Sequence, residues 1–157
     1  MNNGWPIKGF LGCLIMLVSV LPAFAGDSLF GKVTAVRSAD VVILDYGAGQ
    51  YTIRIIGIDV PTNSALAEEA RQFVSKLVLD KNAQMRFESR TANGEMLSRL
   101  YSSDPVKDVG LELVRAGLAR RKPGDESLYG YKYGELTAAE REAQRTKRGI
   151  WSETQPR

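Results

Sequence analysis

Residues 50–63 read QYTIRIIGIDVPTN, and the fold turns on how this stretch is read. Strand alternation sends Tyr51, Ile53 and Ile55 to one face and Thr52, Arg54 and Ile56 to the other. Arg54 thus leaves the sheet opposite Tyr51 and Ile53. Pro61 ends the run, because it has no N–H to give to a strand ladder. Arg54 and Asp59 flank an otherwise apolar segment, a placement that points to charged ligands rather than to packing alone.

Upstream, LFGKVTAVRS (29–38) and DVVILD (40–45) read as two more strands, the second joined to the third through the glycine-rich turn YGAGQ. Downstream, Thr62, Asn63 or Ser64 can cap a helix reaching Asp80. Its apolar residues Leu66, Ala70, Phe73, Val74 and Leu77 form a single stripe, which is core. AQMRFES and MLSRLY supply the fourth and fifth strands around the turn RTANGE. Asp108 caps a short helix that stops at Gly117, and a last helix lies within 133–148 with Gly149 beyond it. The order β-β-β-α-β-β-α-α predicts an α+β fold, a five-stranded β-barrel of the OB type with about three packed helices. No internal repeat or second domain interrupts it.

The first 25 residues read as a cleaved signal peptide. Lys8 precedes the apolar run Phe10–Val20, and Ala23-Phe24-Ala25 has the small–x–small form of a cleavage site. The run is shorter than the roughly 20 residues of a spanning helix, so cleavage leaves no stable membrane span. An uncleaved anchor and a lipoprotein through Cys13 are the weaker alternatives. The expectation is an exported protein, periplasmic or secreted, with residues 26–157 as one domain. Cleavage removes Cys13, the only cysteine, so packing alone must stabilise the mature fold.

Loss of Lys8 leaves 20 of the 21 basic residues against 18 acidic ones, a net +2. That excludes a general polyanion magnet. Basic residues crowd the last third, but Glu135, Glu140 and Glu142 are interleaved there, as on a solvated, salt-bridged helix. The chain has no histidine, which excludes Ser-His-Asp triads, His-ligated zinc and His-based nucleases together. Chemistry must come from carboxylates, Arg, Lys, Tyr, Ser or Thr, with or without a hard cation held by oxygen.

Six segments in order, SAD, TIRIIGIDVP, AEEARQFVSKLV, NGEMLSRLY, VGLELVRAGLA and RGIWSE, make residues 29–153 resemble the staphylococcal nuclease (thermonuclease) family. The resemblance implies an OB barrel and a phosphodiesterase site that uses Ca2+. Carried over residue by residue, Asp40 and Asp59 match the metal-binding aspartates, the Val60 carbonyl the main-chain ligand, and Arg54 the first of two phosphate-gripping arginines. A turn role for Asp40 and Asp59, and an ion pair from Arg54 to either, are the structural alternatives. Tyr129, Tyr131 and Lys132 lie where the family places substrate-touching tyrosines, with aromatic packing under the last helix as the default. Trp151 is expected to pack on the barrel.

The departures fall on the catalytic positions. Thr62 stands where the family has its general-base glutamate, and Glu95 stands at the second arginine. A neutral hydroxyl does not take a proton from water near neutral pH, and losing a positioned base costs roughly 10²–10⁴ in rate. Losing a charge-stabilising donor costs about 10²–10³, although such losses do not simply multiply. Glu68 and Glu69 are nearby carboxylates expected to face solvent, and Asp40, Asp59 and Glu95 together form a candidate three-carboxylate cation site. The reading is a degenerate nuclease-like domain that binds single- or double-stranded nucleic acid or another polyanion. An active nuclease with a non-standard base and a protein-interaction module of the cell envelope are the rivals.

Overall fold

Strand pairing builds the closed sheet that the alternation predicts. The computed structural model describes Met1 and residues 28–62 and 65–152. β1 (Ser28–Ser38), β2 (Val41–Asp45) and β3 (Gln50–Ile55) form an antiparallel meander, followed by the two-residue β4 (Ile58–Asp59). α1 (Ala65–Val78) leads to β5 (Asn82–Arg90) and β6 (Met96–Ser103), an antiparallel pair. β5 returns to the far edge of β1, and β6 lies parallel to β3, so β1, β2, β3, β6 and β5 close into a five-stranded barrel. Two register shifts in β1, between Val33 and Ala35 and between Val36 and Ser38, bend the strand that pairs along both neighbours.

The barrel interior is apolar. Val33, Leu44, Ile53, Met85 and Leu100 are fully buried there. The predicted stripe of α1 faces the same core: Ala70, Val74 and Val78 are buried, with Leu66, Phe73 and Leu77 packed at its margin. α2 (Val109–Arg115) begins at the expected cap, where Asp108 Oδ1 accepts from the Leu111 N–H at 3.1 Å. α4 (Tyr133–Arg145) packs on α2 and buries Tyr133, Leu136, Ala139 and Ala143.

Three small strands and a one-turn helix lie outside the predicted order. β7 (Val106–Asp108) folds back on β6, β8 (Arg120–Arg121) pairs with β4, and α3 (Glu126–Tyr129) precedes α4. Ladders of two or three residues carry no periodic signal, because a distant partner and not alternation creates them. Gly57, at φ +80°, makes the crossing under α3 possible, since a Cβ there would meet Tyr129 Cδ2 at 2.4 Å. Gly117 plays the same part where the segment after α4 returns: Ile150 N–H donates to its carbonyl at 2.9 Å, and a Cβ would strike the Arg148 carbonyl.

The expected signal peptide, the Asn63 and Ser64 caps and residues 153–157 lie outside the described residues. Among the described residues no helix is long and apolar enough to cross a membrane.

Candidate active site

Two registers bring the charged residues together. β2 pairs with β3 so that Val41 faces Arg54, which sets Asp40 beside the arginine. β3 pairs with β6 so that Ile53 faces Met96 and Arg54 faces Leu97, which sets Glu95 on its other side. Neither adjacency depends on the other. Barrel closure therefore places a guanidinium between two carboxylates that are 55 positions apart in the chain (95 − 40).

The result is a closed clasp. Arg54 Nε donates to Glu95 Oε2 at 2.7 Å and Nη2 to Oε1 at 3.1 Å, the two-pronged geometry by which guanidinium grips carboxylate or phosphate. Arg54 Nη1 donates to Asp40 Oδ2 at 2.7 Å, while Ser38 Oγ donates to Asp40 Oδ1 at 2.6 Å. Three of the guanidinium's five donors are thus engaged. The hydrogen bond from Arg54 holds the Glu95 carboxyl below the usual carboxylate range. The same bond, with the two negative charges, raises Arg54 against the opposing effect of its own burial.

Beside the clasp opens a cleft of about 700 Å³. Asp40, Arg54, Asp59, Val60 and Thr62 all line it, so five of the residues singled out in the sequence share one place. Asp59 and Thr62 are exposed to solvent. The cleft also holds residues that pattern reading missed as a group: Arg37 from β1, Glu68 and Arg71 from α1, and Lys122 after β8. Strict alternation in β1 would put Arg37 on the face of the buried Val33, and the two register shifts in that strand remove the signal. Nothing local announces Lys122, because the β4–β8 pairing that brings it there is tertiary.

Glu68 is exposed, as expected, and it also lines the cleft, where Arg71 Nη2 and Nε donate to its two oxygens at 2.7 and 2.8 Å. These bonds, and one from Gln72, lower its carboxyl to about 2. The three-carboxylate site does not form, since Glu95 is engaged by Arg54 and no group of three or more acidic side chains among the described residues is placed to hold a metal. Calcium takes six to eight oxygen ligands, roughly, and several of them are normally carboxylate. Here both oxygens of Asp40 accept protein hydrogen bonds, one from a guanidinium that repels a cation, leaving the Asp59 carboxylate and the Val60 carbonyl. As arranged, these donors do not fit a tightly held calcium ion.

The tyrosine-rich stretch divides. Tyr129, expected at a substrate surface, is instead core: it is 1% exposed and its hydroxyl donates to Asp108 Oδ2 at 2.7 Å. Burial beside that negative charge pushes its phenol well above the ordinary range. Tyr133 is buried too, as the packing alternative requires. Tyr131 is exposed, and with Lys132 it lines a separate groove that shares no residue with the cleft. Trp151 lies half-buried under the Arg120 guanidinium, which stands 5.0 Å from its ring centroid.

A closed five-stranded barrel with helices packed on it defines an α+β protein of the OB-barrel type. Residues 52–153 match the family described as Staphylococcal nuclease homologue, and the chain belongs to that family. Among curated relatives it is 32% identical to a "Probable endonuclease LCL3" of Verticillium alfalfae, across 92% of this chain and 65% of that protein. It is 26% identical to the "Thermonuclease" of Staphylococcus hyicus, across 77% of this chain and 75% of the relative. An "Uncharacterized endonuclease" of Escherichia coli O157:H7 is 25% identical across 91% of this chain and 90% of its own length. The chain thus spans just under two thirds of the first of these relatives.

Proposed function

We propose that the protein is an exported nuclease-like domain with a degenerate site, which binds nucleic acid or a similar polyanion in the cleft and hydrolyses it weakly or not at all. The observation that carries this reading is the Arg54 clasp. The fork that would grip a phosphate already grips Glu95, a carboxylate of similar shape and charge. An incoming phosphate must displace an ion pair before it gains one. Thr62 offers no proton acceptor at the place where water would be activated.

Arg37, Arg71 and Lys122 line the cleft with Arg54, four cations against the three carboxylates Asp40, Asp59 and Glu68, a modest excess that favours an anionic strand. Calcium, if held, would use Asp59, the Val60 carbonyl and an Asp40 released from Arg54. Calorimetric titration of the full chain with calcium is expected to show affinity no tighter than the millimolar range; a micromolar site would overturn the reading of the donor set.

The second reading, an active nuclease with a substitute base, has Glu68 in its favour, a carboxylate within the same cleft. Against it stands the Arg71 pairing, which makes Glu68 a weak proton acceptor. Export to the periplasm or beyond rests on the N-terminal pattern alone.

Incubation with single-stranded DNA and RNA, with calcium and with chelator, tests the proposal. Salt-sensitive binding with little cleavage is the expected result. Rapid chelator-sensitive cleavage that Asp40→Ala abolishes would establish the enzyme instead. Thr62→Glu combined with Glu95→Arg restores a proton acceptor and a cation, and is expected to raise cleavage by about 10²-fold or more. No gain in that double variant would place the deficiency elsewhere.

A further inference from the structure

We propose that the groove lined by Tyr101, Tyr131 and Lys132 is a second nucleic-acid contact, a stacking surface for the bases of a single strand, separate from the cleft. This deepens the binding reading above and rests on it. The groove, of about 220 Å³, lies on the outer face of the sheet where β1, β5 and β6 run side by side.

Exposed apolar side chains gather here. Phe30, Val106 and Tyr131 are 64%, 71% and 82% exposed, and apart from Met1 they are the large hydrophobic residues among the described ones that stand open to solvent. Val106 and Tyr131 line the groove, while Phe30 is paired across the ladder with Gln84, which also lines it. Three such residues scattered over the surface would mean little, but gathered on one face they mark a contact surface.

The charges around them identify the occupant. Arg86 and Lys132 line the groove and no acidic residue does. Lys132 Nζ sits 5.4 Å from the Tyr101 ring centroid, a cation held over an aromatic face. Of the carboxylates beside the groove, Glu88 stands 3.7 Å from Arg86 and is shared with the buried Arg99, and Asp108, across from Tyr101, caps α2 and accepts from Tyr129. Aromatic faces interleaved with cations are what an unpaired strand requires, because bases stack on the rings while phosphates meet the cations. A purely apolar partner surface would bury the Lys132 ammonium with no ion-paired carboxylate.

The test uses the full chain and labelled single-stranded DNA of about 12 nucleotides, within the span one OB barrel covers, at low salt, read by fluorescence anisotropy. Tyr131→Ala with Lys132→Ala, both on the surface, is compared with the cleft variant Arg37→Ala, and thermal melts confirm that each folds. The groove variant is expected to bind about tenfold more weakly. Tyr131→Ala alone is expected to leave affinity for an abasic strand of equal length unchanged, since that strand has phosphates and no bases. Equal losses on both strands would overturn stacking. Native-like binding by the groove variant while Arg37→Ala loses it would overturn the second contact and leave the cleft reading standing. Failure of the native chain to bind any strand would sink both. A drop in sedimentation mass caused by the groove variant would show that the surface instead joins two copies of this chain.

Discussion

Glu95 decides how available Arg54 is. Glu95→Gln keeps the shape and removes the charge, so the cleft is expected to bind inorganic phosphate or a short oligonucleotide about three- to tenfold more tightly, measured by calorimetry. The same change has a pH signature. A carboxyl held below its ordinary value in the folded state contributes stability above the ordinary value, and loses it as pH falls through the lowered one. The pair is partly exposed, so Glu95→Gln is expected to cost about 0.5–1 kcal/mol at pH 7 in denaturant melts. That gap is expected to close on acidification below the usual glutamate range. A gap that widened in acid would mean that Glu95 is not held ionised by Arg54.

At the scale of elements, the junction of β7 and α2 concentrates several roles in Asp108. It caps α2, accepts from the buried Tyr129 hydroxyl and sits deep enough that burial raises its carboxyl above the ordinary range. Asp108→Ala removes the cap and strands the hydroxyl, at an expected cost of about 2–3 kcal/mol. Asp108→Asn keeps the cap, since asparagine caps as well as aspartate. The sign of the pH effect is opposite to that of Glu95. A raised carboxyl binds its proton more tightly when folded, so its ionisation costs stability as pH rises through the folded value. A side-chain amide at this position does not ionise, so Asp108→Asn is expected to gain on wild type as pH is raised from about 3 to 7 in thermal melts.

At the scale of the molecule, a barrel core with no disulfide makes each buried aliphatic count. Leu100, fully buried on β6 where the sheet closes, is the sharpest probe. Leu100→Ala is expected to cost about 2–5 kcal/mol in denaturant unfolding. Part of the basic final third is ion-paired, as its interleaved glutamates suggested: Arg121 with Glu140 at 3.3 Å and Arg145 with Glu142 at 2.7 Å. What the sequence determined by itself was local or repeated along the chain. The alternation of β3, the stripe of α1 and the Asp108 cap each depend on neighbours a few residues away, whereas Thr62 and Glu95 stand out as departures only through the resemblance to a family pattern. Only the tertiary structure decided that Glu95 closes on Arg54, that Glu68 enters the cleft, that Tyr129 is core and that Tyr131 and Lys132 face a different groove. Those facts are set by the parallel β3–β6 register and by the packing of α3 and α4, contacts between residues far apart in the chain, for which no local spacing carries a signal.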